Sequence, residues 1–398
     1  MKRKDKEMKK LFALLMVAGL ILSLAACAPA AEPAAAEPAA DEPAADEPAA
    51  EEAAAEEPAE DPYEALIGFA MPTHSDESWL KHKTYMQGYL EEMGYKNFDE
   101  QWAEDVVADQ VSQIENMVTK GVDVLVVAAV DGNALSDVLA KAAEQGTKVV
   151  AYDRLIMNTP HVDAYVTGDN FGVGEKEAQY IVDKLGVEDG NGPFNIEIFA
   201  GSMDDNNSFF FYDGAMSVLQ PYIDDGTFIV KSGQTAVEKV AIQQWDAAVA
   251  QSRMDNLLTA YYADGTLVDA ILSPYDGLSI GIISSLKNVG YGAEDQPLPI
   301  VTGQDAEVAT VISIVKGEQA QTVWKDFRES AKGGAALVDA LVQGTELPTN
   351  DIDTYNNGVK QVPSFLYPVK SVDIDNYMEL FDTGFYNKDD DMWADIFD

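Results

Sequence analysis

Hydrogen-bonding and aromatic side chains recur in this sequence directly after short apolar segments. The densest stretch, GSMDDNNSFFFYDG (201–214), follows the apolar segment NIEIF and combines carboxylates, amides and aromatic rings. Carboxylates, amides and a guanidinium hydrogen-bond hydroxyl groups, often in pairs, while an indole face covers apolar C–H patches. This combination is typical of a site for a neutral polyol rather than for a lipid or a peptide. The residues of these types that follow such segments are His74, Trp79, Asp153, Arg154, Asp169, Asn170, Asp204, Asp205, Asn206, Asn207, Trp245, Tyr275, Asp276, Gln304, Asp305 and Lys325.

Each candidate also has a simpler structural interpretation. Asp and Asn at a junction between a strand and a helix are commonly N-caps. Asp153 and Arg154 are adjacent, so they are also interpretable as a local ion pair. A Trp near the start of a helix is often a core residue. The set as a whole, rather than any single member, favours ligand binding.

The elements that position these residues follow an alternating pattern from about residue 64. Apolar segments predict strands, and amphipathic stretches between them predict helices, in two successive units. The strands of the first unit are ALIGFAM (65–71), VDVLVVAAV (122–130) and KVVAYD (148–153). Those of the second are NIEIFAG (195–201), FIVKSGQ (228–234), VDAILSP (268–274) and PIVTGQD (299–305). Such buried strands predict two parallel sheets with helices on both faces, and ligands bind beyond the carboxyl ends of such strands.

The enzyme motifs in the chain do not predict catalysis. GLSIG (277–281) matches the G-x-S-x-G nucleophile elbow, but that fold needs a histidine after Ser279. All the histidines, His74, His82 and His161, come earlier. Asp204 and Asp205 could pair as in glycoside hydrolases, yet adjacent side chains diverge in direction. We therefore predict a binding protein that is not an enzyme and that has no metal site.

The N-terminus predicts export. A basic start (MKRKDKEMKK) precedes a short apolar run and small residues, the pattern of a signal peptide over residues 1–26. LAAC resembles the lipobox of bacterial lipoproteins, which makes Cys27, the only cysteine, the predicted lipidation site. The alternatives are an ordinary signal peptide with an incidental cysteine and a transmembrane helix, for which the run is short.

Residues 27–62 are predicted to form a disordered tether after the lipidated cysteine. The segment repeats Ala, Pro and acidic residues and contains no Lys or Arg, so it cannot bury a core. An extended tether of this length would reach about 110 Å. The net charge of the whole chain is −43, which argues against nucleic acid or an anionic membrane surface as a partner.

Several long segments resemble the sugar receptors of bacterial ATP-driven importers that have the periplasmic-binding-protein fold. They include QIENMVTKGVDVLVV, VVAYDRLI, GPFNIEIFAGSMDDNNSFFFYDGAMSVL, ILSPYDGLSIGIISSLK and QPLPIVTGQDAE. The resemblance covers roughly residues 64 to 390 and is greatest to the branch of xylose-binding and multiple-sugar-binding receptors. It implies an α/β fold of two Rossmann-like lobes joined by three crossovers.

The resemblance narrows these positions to ten candidate ligand-binding residues: His74, Trp79, Asp153, Arg154, Asp205, Asn207, Trp245, Tyr275, Asp305 and Lys325. Trp79 and Trp245 would stack on opposite faces of a sugar ring, and Asp153 and Arg154 would bind its hydroxyls and ring oxygen. Asp205, Asn207, Asp305 and Lys325 would supply further hydrogen bonds. Tyr275 follows the multiple-sugar type, because the xylose receptors have Asn there. The chain departs from the family in the first loop, where His74 and Ser78 stand in place of basic residues.

The implied N-terminal lobe consists of residues 63–168 and 325–343, and the C-terminal lobe of residues 169–324 and 344–398. The crossovers are expected near 165–170, 323–326 and Gly344. The resemblance implies a monomer that binds a monosaccharide without a cofactor and delivers it to the permease of an ABC importer. The protein would lie outside the cytoplasm and would contact the membrane only through its lipid anchor. Two alternatives stay open: a sugar-loaded partner of a membrane sensor or chemoreceptor, and a secreted glycan-active enzyme.

Overall fold

The computed structural model describes residues 61–75 and 77–397. The predicted signal peptide, Cys27 and all but the last two residues of the predicted tether lie outside the described residues. Apolar strands alternate with amphipathic helices through most of the described chain, as the sequence predicts. They form two lobes, each built on a parallel sheet.

The first lobe has a parallel sheet in the order β11-β5-β4-β3-β1-β2, counted over the described residues. Helices α2 and α3 pack on one face of this sheet and helices α1 and α10 on the other, which gives a core on each side. The strands are β1 Leu66–Met71, β2 Asn97–Trp102, β3 Val124–Val127, β4 Lys148–Tyr152, β5 Ala164–Gly168 and β11 Ser364–Tyr367. The helices are α1 Glu77–Met93, α2 Val107–Thr119, α3 Ser136–Glu144 and α10 Phe327–Gln343.

The second lobe has a parallel sheet in the order β7-β6-β8-β9 within the described part of the chain, beside an antiparallel pair, β10 and β12. Helices α4 and α5 pack together, and so do α7 and α8. The strands are β6 Phe194–Ile198, β7 Phe228–Val230, β8 Ala270–Leu272, β9 Ile300–Val301, β10 Gln321–Trp324 and β12 Lys370–Asp373. The helices are α4 Asn170–Leu185, α5 Asn207–Asp224, α6 Val237–Val240, α7 Ala247–Tyr261, α8 Asp276–Asn288, α9 Val308–Val315, α11 Glu379–Asp382 and α12 Ala394–Phe397.

Three connections join the lobes: β5 to α4, β10 to α10, and β11 to β12. The first two lie where the sequence predicts them. The third lies between Tyr367 and Lys370, not near Gly344. The predicted lobe boundary at residue 344 is therefore wrong, because β11 pairs with β5 and returns the chain to the first sheet. The predicted fold class is confirmed.

The end of the chain is packed rather than loose. Trp393 is fully buried, with its ring 4.9 Å from that of Phe381 and 4.7 Å from that of Tyr386. Although the segment is rich in Asp, its aromatic residues bury against the second lobe. None of the described helices combines the length and the apolar character needed to cross a membrane.

Glu177 is a buried carboxyl group on α4. Neither of its side-chain oxygens has a hydrogen-bond partner among the described residues. Burial raises the pKa of Glu177 well above its ordinary value, and Asp276 and Asp305 raise it further. The folded chain therefore keeps a proton on this group at pH values where the unfolded chain has lost it.

In the wild type, the buried Glu177 should make the free energy of unfolding fall as the pH rises. The Glu177→Gln variant is expected to lack this fall. Above the ordinary pKa of Glu, the unfolded state releases a proton that the folded state holds, so the free energy of unfolding falls by up to about 1.4 kcal/mol per pH unit. Thermal or urea unfolding at pH 5, 6.5 and 8 should show the variant gaining on the wild type as the pH rises. Glu175→Gln, an exposed change on the same helix, should follow the wild type. Parallel pH profiles for Glu177→Gln and the wild type would contradict this account.

Candidate functional site

A cavity of about 440 Å³ lies between the lobes, at the carboxyl ends of both parallel sheets. This volume is in the range of pockets for small molecules. Side chains from the ends of β4, β6, β8 and β9 meet there, together with residues of the β10–α10 crossover. The predicted site residues in its lining are Trp79, Asp153, Arg154, Asp205, Asn207, Trp245, Tyr275, Asp305 and Lys325.

The Arg154 guanidinium contacts both lobes. Its Nε lies 3.5 Å from Asp205 Oδ2 in the second lobe, while its Nη1 donates to the carbonyl oxygen of Ala129 at 3.1 Å. The same guanidinium lies over the Trp79 ring, 5.3 Å from the centroid. Burial raises the pKa of Asp205 above its ordinary value, against the lowering effect of Arg154. Arg154 is therefore positioned to compensate a buried carboxylate and to offer its remaining N–H groups to the cavity.

Lys325 is the second cation of the cavity. Its Nζ lies 3.2 Å from Asp305 Oδ1 and 3.7 Å from Asp153 Oδ1. Burial opposes its charge, but Asp305 and Asp153 outweigh that effect and raise the pKa of Lys325 above its ordinary value. It is therefore charged at neutral pH and fixes two carboxylates that come from different lobes. Carboxylates held in this way accept hydrogen bonds from hydroxyl groups.

Asn207 joins the lobes through its own amide group. Its Nδ2 donates to the carbonyl oxygen of Asp153 at 2.8 Å. Its Oδ1 accepts from Asn170 Nδ2 at 2.9 Å and lies 3.0 Å from Tyr165 Oη, which is nearer to the carbonyl oxygen of Asp153. These contacts leave at most one amide N–H for a ligand. In this conformation, Asn207 mainly holds the second lobe against the end of β4.

The backbone is unusual where it approaches the cavity. Asp153, Gln244, Trp245 and Asp305 all have positive φ angles, between 55° and 94°. Residues other than glycine rarely adopt this conformation, which costs of order 1–3 kcal/mol each and is concentrated at functional sites. At Asp153 the conformation is held by hydrogen bonds to its carbonyl oxygen from Tyr165 and Asn207. The strained turns aim these side chains into the cavity.

Each lobe contributes an indole ring to the cavity. Trp79 comes from α1 and is almost fully buried, whereas Trp245 precedes α7 and is half-buried. The Trp245 ring lies edge-on to Tyr275, with centroids 5.9 Å apart. Gly201 makes this placement possible, because a Cβ atom there would lie 1.9 Å from the indole. The structure thus assigns a role to the first residue of GSMDDNNSFFFYDG.

The aromatic run of that stretch divides between different surroundings. Phe211 is buried and lines the cavity, with Lys325 Nζ 5.7 Å from its ring centroid. Phe210 instead packs against Tyr355 of the first lobe, and the Tyr212 hydroxyl donates to the carbonyl oxygen of Thr235. The run therefore serves both the packing of the lobes and the lining of the cavity.

His74 lies outside the cavity lining, contrary to the prediction. Its ring stacks on Trp102 with centroids 4.2 Å apart, and its Nδ1 is hydrogen-bonded to Glu104. The apolar pattern does not predict β2, whose end brings Trp102 and Glu104 beside His74. The histidine in the lining is His82, with Nδ1 2.7 Å from Tyr152 Oη. His82 follows Trp79 by three residues, so helical spacing could have identified it.

Gln304 is a strand-end residue to which the resemblance assigns no role. It lies in the cavity lining, is 3% exposed, and its Oε1 has no hydrogen-bond partner among the described residues. A buried acceptor without a partner is costly and is usually satisfied by water or a ligand. A ligand hydroxyl that reached Gln304 would therefore gain a hydrogen bond. Its position directly before Asp305 was the available sequence signal.

The match to a nucleophile elbow has a structural explanation. Ser279 is fully buried, and its hydroxyl contacts the carbonyl oxygen of Thr302 at 2.6 Å. A Cβ atom on Gly281 would lie 2.3 Å from the carbonyl oxygen of Ala247, so this glycine allows α8 to pack closely against α7. In the part of the chain that is described, no cluster of His, Cys, Asp or Glu is arranged to hold a metal ion.

Comparison with known families identifies this architecture. The sequence pattern of the periplasmic binding protein domain matches residues 67–346. The chain belongs to the periplasmic binding protein family. The prediction of a binding protein rather than an enzyme is confirmed, because the close relatives are receptors and solute-binding proteins.

Individual members of the family are similar over most of the chain. The multiple sugar-binding periplasmic receptor ChvE of Rhizobium radiobacter is 56% identical over 326 residues, which are 82% of this chain and 92% of the relative. The D-xylose-binding periplasmic protein of Escherichia coli is 34% identical over 83% of this chain and 93% of the relative.

Among solved structures of the family, an ABC transporter solute-binding protein from Clostridium phytofermentans with bound β-D-glucose has a TM-score of 0.78. The two sequences are 44% identical, and the match covers 82% of this chain and 99% of the Clostridium phytofermentans protein.

Proposed function

We propose that this chain is an extracytoplasmic receptor that binds one monosaccharide, an aldopentose or an aldohexose, in the cavity between its lobes. The carrying observation is the composition of the cavity, where an indole ring from each lobe accompanies carboxylates fixed by Arg154 and Lys325. Hydroxyl groups bind such carboxylates and cations, and sugar C–H faces pack on indole rings. Relatives that are named for glucose, xylose or multiple sugars support this proposal.

Closure of the lobes would complete the binding site. Arg154, Asp153 and Trp79 belong to the first lobe, while Asp205, Trp245 and Asp305 belong to the second. A sugar that contacts both sets binds the closed form more tightly and shifts the population toward it. An importer could then distinguish the loaded receptor by its shape. We therefore propose delivery of the sugar to the permease of an ABC importer.

A thermal-shift screen tests the binding proposal. A ligand that binds only the folded state raises the apparent stability by mass action. D-glucose, D-galactose, D-xylose and L-arabinose are the test set, with D-mannitol and D-glucuronate as an open-chain and an anionic comparison. A clear rise in Tm with at least one neutral aldose is expected, and no response to any of them would contradict the proposal. Deletion of the gene should abolish uptake of that sugar, whereas unchanged uptake would contradict the importer role.

We also propose that lipidated Cys27 anchors the receptor to the membrane. Cys27→Ser should move the protein from the membrane fraction to the soluble extracytoplasmic fraction, because a serine cannot receive the thioether-linked lipid. Cell fractionation followed by immunoblotting measures the distribution. Ser23→Ala, a change in the same predicted signal that keeps the cysteine, should leave the protein in the membrane fraction. Membrane retention of Cys27→Ser would show that another element anchors it.

A further inference from the structure

The C-terminal segment, residues 379–397, packs against the part of the second lobe that carries Asp305. Its buried aromatic residues form one cluster with Trp324 and Phe327 at the β10–α10 crossover. The Phe385 ring lies 4.6 Å from that of Phe327 and 5.2 Å from that of Trp324. Phe327 itself lines the cavity. Phe385 is therefore one layer of side chains away from the cavity.

Tyr386 makes the most direct contact between this segment and the site. Its hydroxyl donates to the carbonyl oxygen of Ala306 at 2.9 Å, and its side chain is almost fully buried. Ala306 follows Asp305, and both residues have positive φ angles, 52° and 94°. A turn in this conformation persists only where its surroundings hold it. The Tyr386 hydroxyl is one of these supports.

The other supports of the turn come from within the lobe. The backbone N–H of Asp305 donates to Val323, that of Ala306 to the Thr322 hydroxyl and that of Glu307 to Asp276. These bonds fix the backbone N–H groups of the turn, whereas Tyr386 binds the carbonyl oxygen of Ala306. Tyr386 also reaches the first lobe, since Lys81 Nζ of α1 lies 5.5 Å from its ring centroid.

We infer that Tyr386 is a positioning residue for ligand binding: it fixes the Asp305–Ala306 turn and thereby aims the Asp305 carboxylate at the sugar. This inference rests on the proposed function. It makes the C-terminal segment part of the binding apparatus rather than a terminal extension. Without the hydroxyl, the turn can relax toward ordinary φ angles, and Asp305 loses its orientation between Lys325 and the ligand.

A double-mutant cycle measured by calorimetric titration tests the inference. The titrant is whichever of D-glucose, D-galactose, D-xylose and L-arabinose gives the largest rise in Tm with the wild type. Tyr386→Phe keeps the ring and removes one hydrogen bond, so affinity should fall roughly 3- to 10-fold. In an Asp305→Asn background, Tyr386→Phe should lower affinity less than about 2-fold, because the carboxylate that Tyr386 positions is already absent. In a Trp79→Ala background the full loss should persist. Tyr377→Phe, the same substitution in a neighbouring residue of the cluster, should have no effect.

The outcomes separate this inference from the proposed function. Wild-type affinity in Tyr386→Phe would overturn the inference alone. If Tyr386→Phe lowered sugar affinity equally in the Asp305→Asn and wild-type backgrounds, the inference would also be wrong. An equal loss would mean that the substitution weakens the protein in general and does not act through Asp305. If the wild type bound none of the neutral aldoses of the thermal-shift screen, the proposed function and this inference would both be wrong.

Discussion

Arg154→Ala is expected to lower monosaccharide affinity roughly 30- to 150-fold, or about 2–3 kcal/mol. The guanidinium contacts Asp205, the Ala129 carbonyl oxygen and the Trp79 ring at once. Its removal takes charged donors away from the ligand and leaves a buried carboxylate without its nearest cation. A carboxylate left in this way costs more than the lost contact alone. Isothermal titration calorimetry with the preferred sugar measures the effect.

Two further variants make this test specific. Arg154→Lys keeps the charge but loses the planar set of donors, so an intermediate loss is expected. Lys231→Ala removes a cation that pairs with Asp264 and is not part of the cavity lining, and sugar affinity should not change. Wild-type affinity in Arg154→Ala, with correct folding shown by circular dichroism, would remove Arg154 from the proposed site.

Trp245→Ala should lower affinity roughly 10- to 100-fold, because a large apolar plate is lost from one side of the cavity. Gly201→Ala should act in the same direction without touching a ligand contact. The added methyl group would lie 1.9 Å from one indole carbon and 2.3 Å from another, so the ring must move. The sugar titration that measures Arg154→Ala also measures these variants.

Combining the two substitutions shows whether Gly201→Ala lowers affinity by displacing the Trp245 ring or by another cause. In the Gly201→Ala/Trp245→Ala double variant, the loss of affinity should be clearly smaller than the sum of the two single losses, because the ring is gone and only the Ser208 hydroxyl, 2.4 Å from the added methyl group, remains to be displaced. Gly88→Ala introduces the same methyl group on α1, where it would meet no atom within 4 Å beyond the neighbouring residues and the backbone of its own helix, and affinity should stay at the wild-type level. Independent, additive losses at Gly201 and Trp245 would contradict this explanation.

The sequence was informative wherever a pattern is local. Buried parallel strands are apolar along their whole length, as in VLVV of β3, and this predicts the two sheets. Since ligands bind beyond the carboxyl ends of such strands, the residues after β4, β6, β8 and β9 were the natural candidates. Their side chains do meet in one cavity.

Features that depend on distant partners were not predictable in this way. β2 has the sequence NFDEQW. It is an edge strand with mostly half-buried side chains and lacks the apolar pattern of the other strands. Because β2 was not predicted, His74 was wrongly predicted to lie in the site. The return of β11 to the first sheet has no local signal in SFLY. Tyr386 and Ala306 are likewise 80 positions apart in the sequence, so only the folded chain shows their contact.

A crystal structure of the protein with its preferred aldose bound tests the central claim most directly. The account predicts one sugar ring between Trp79 and Trp245, within hydrogen-bonding distance of Asp153, Arg154 and Asp305. A sugar bound elsewhere on the protein, or in the cavity without contact to these residues, would contradict it.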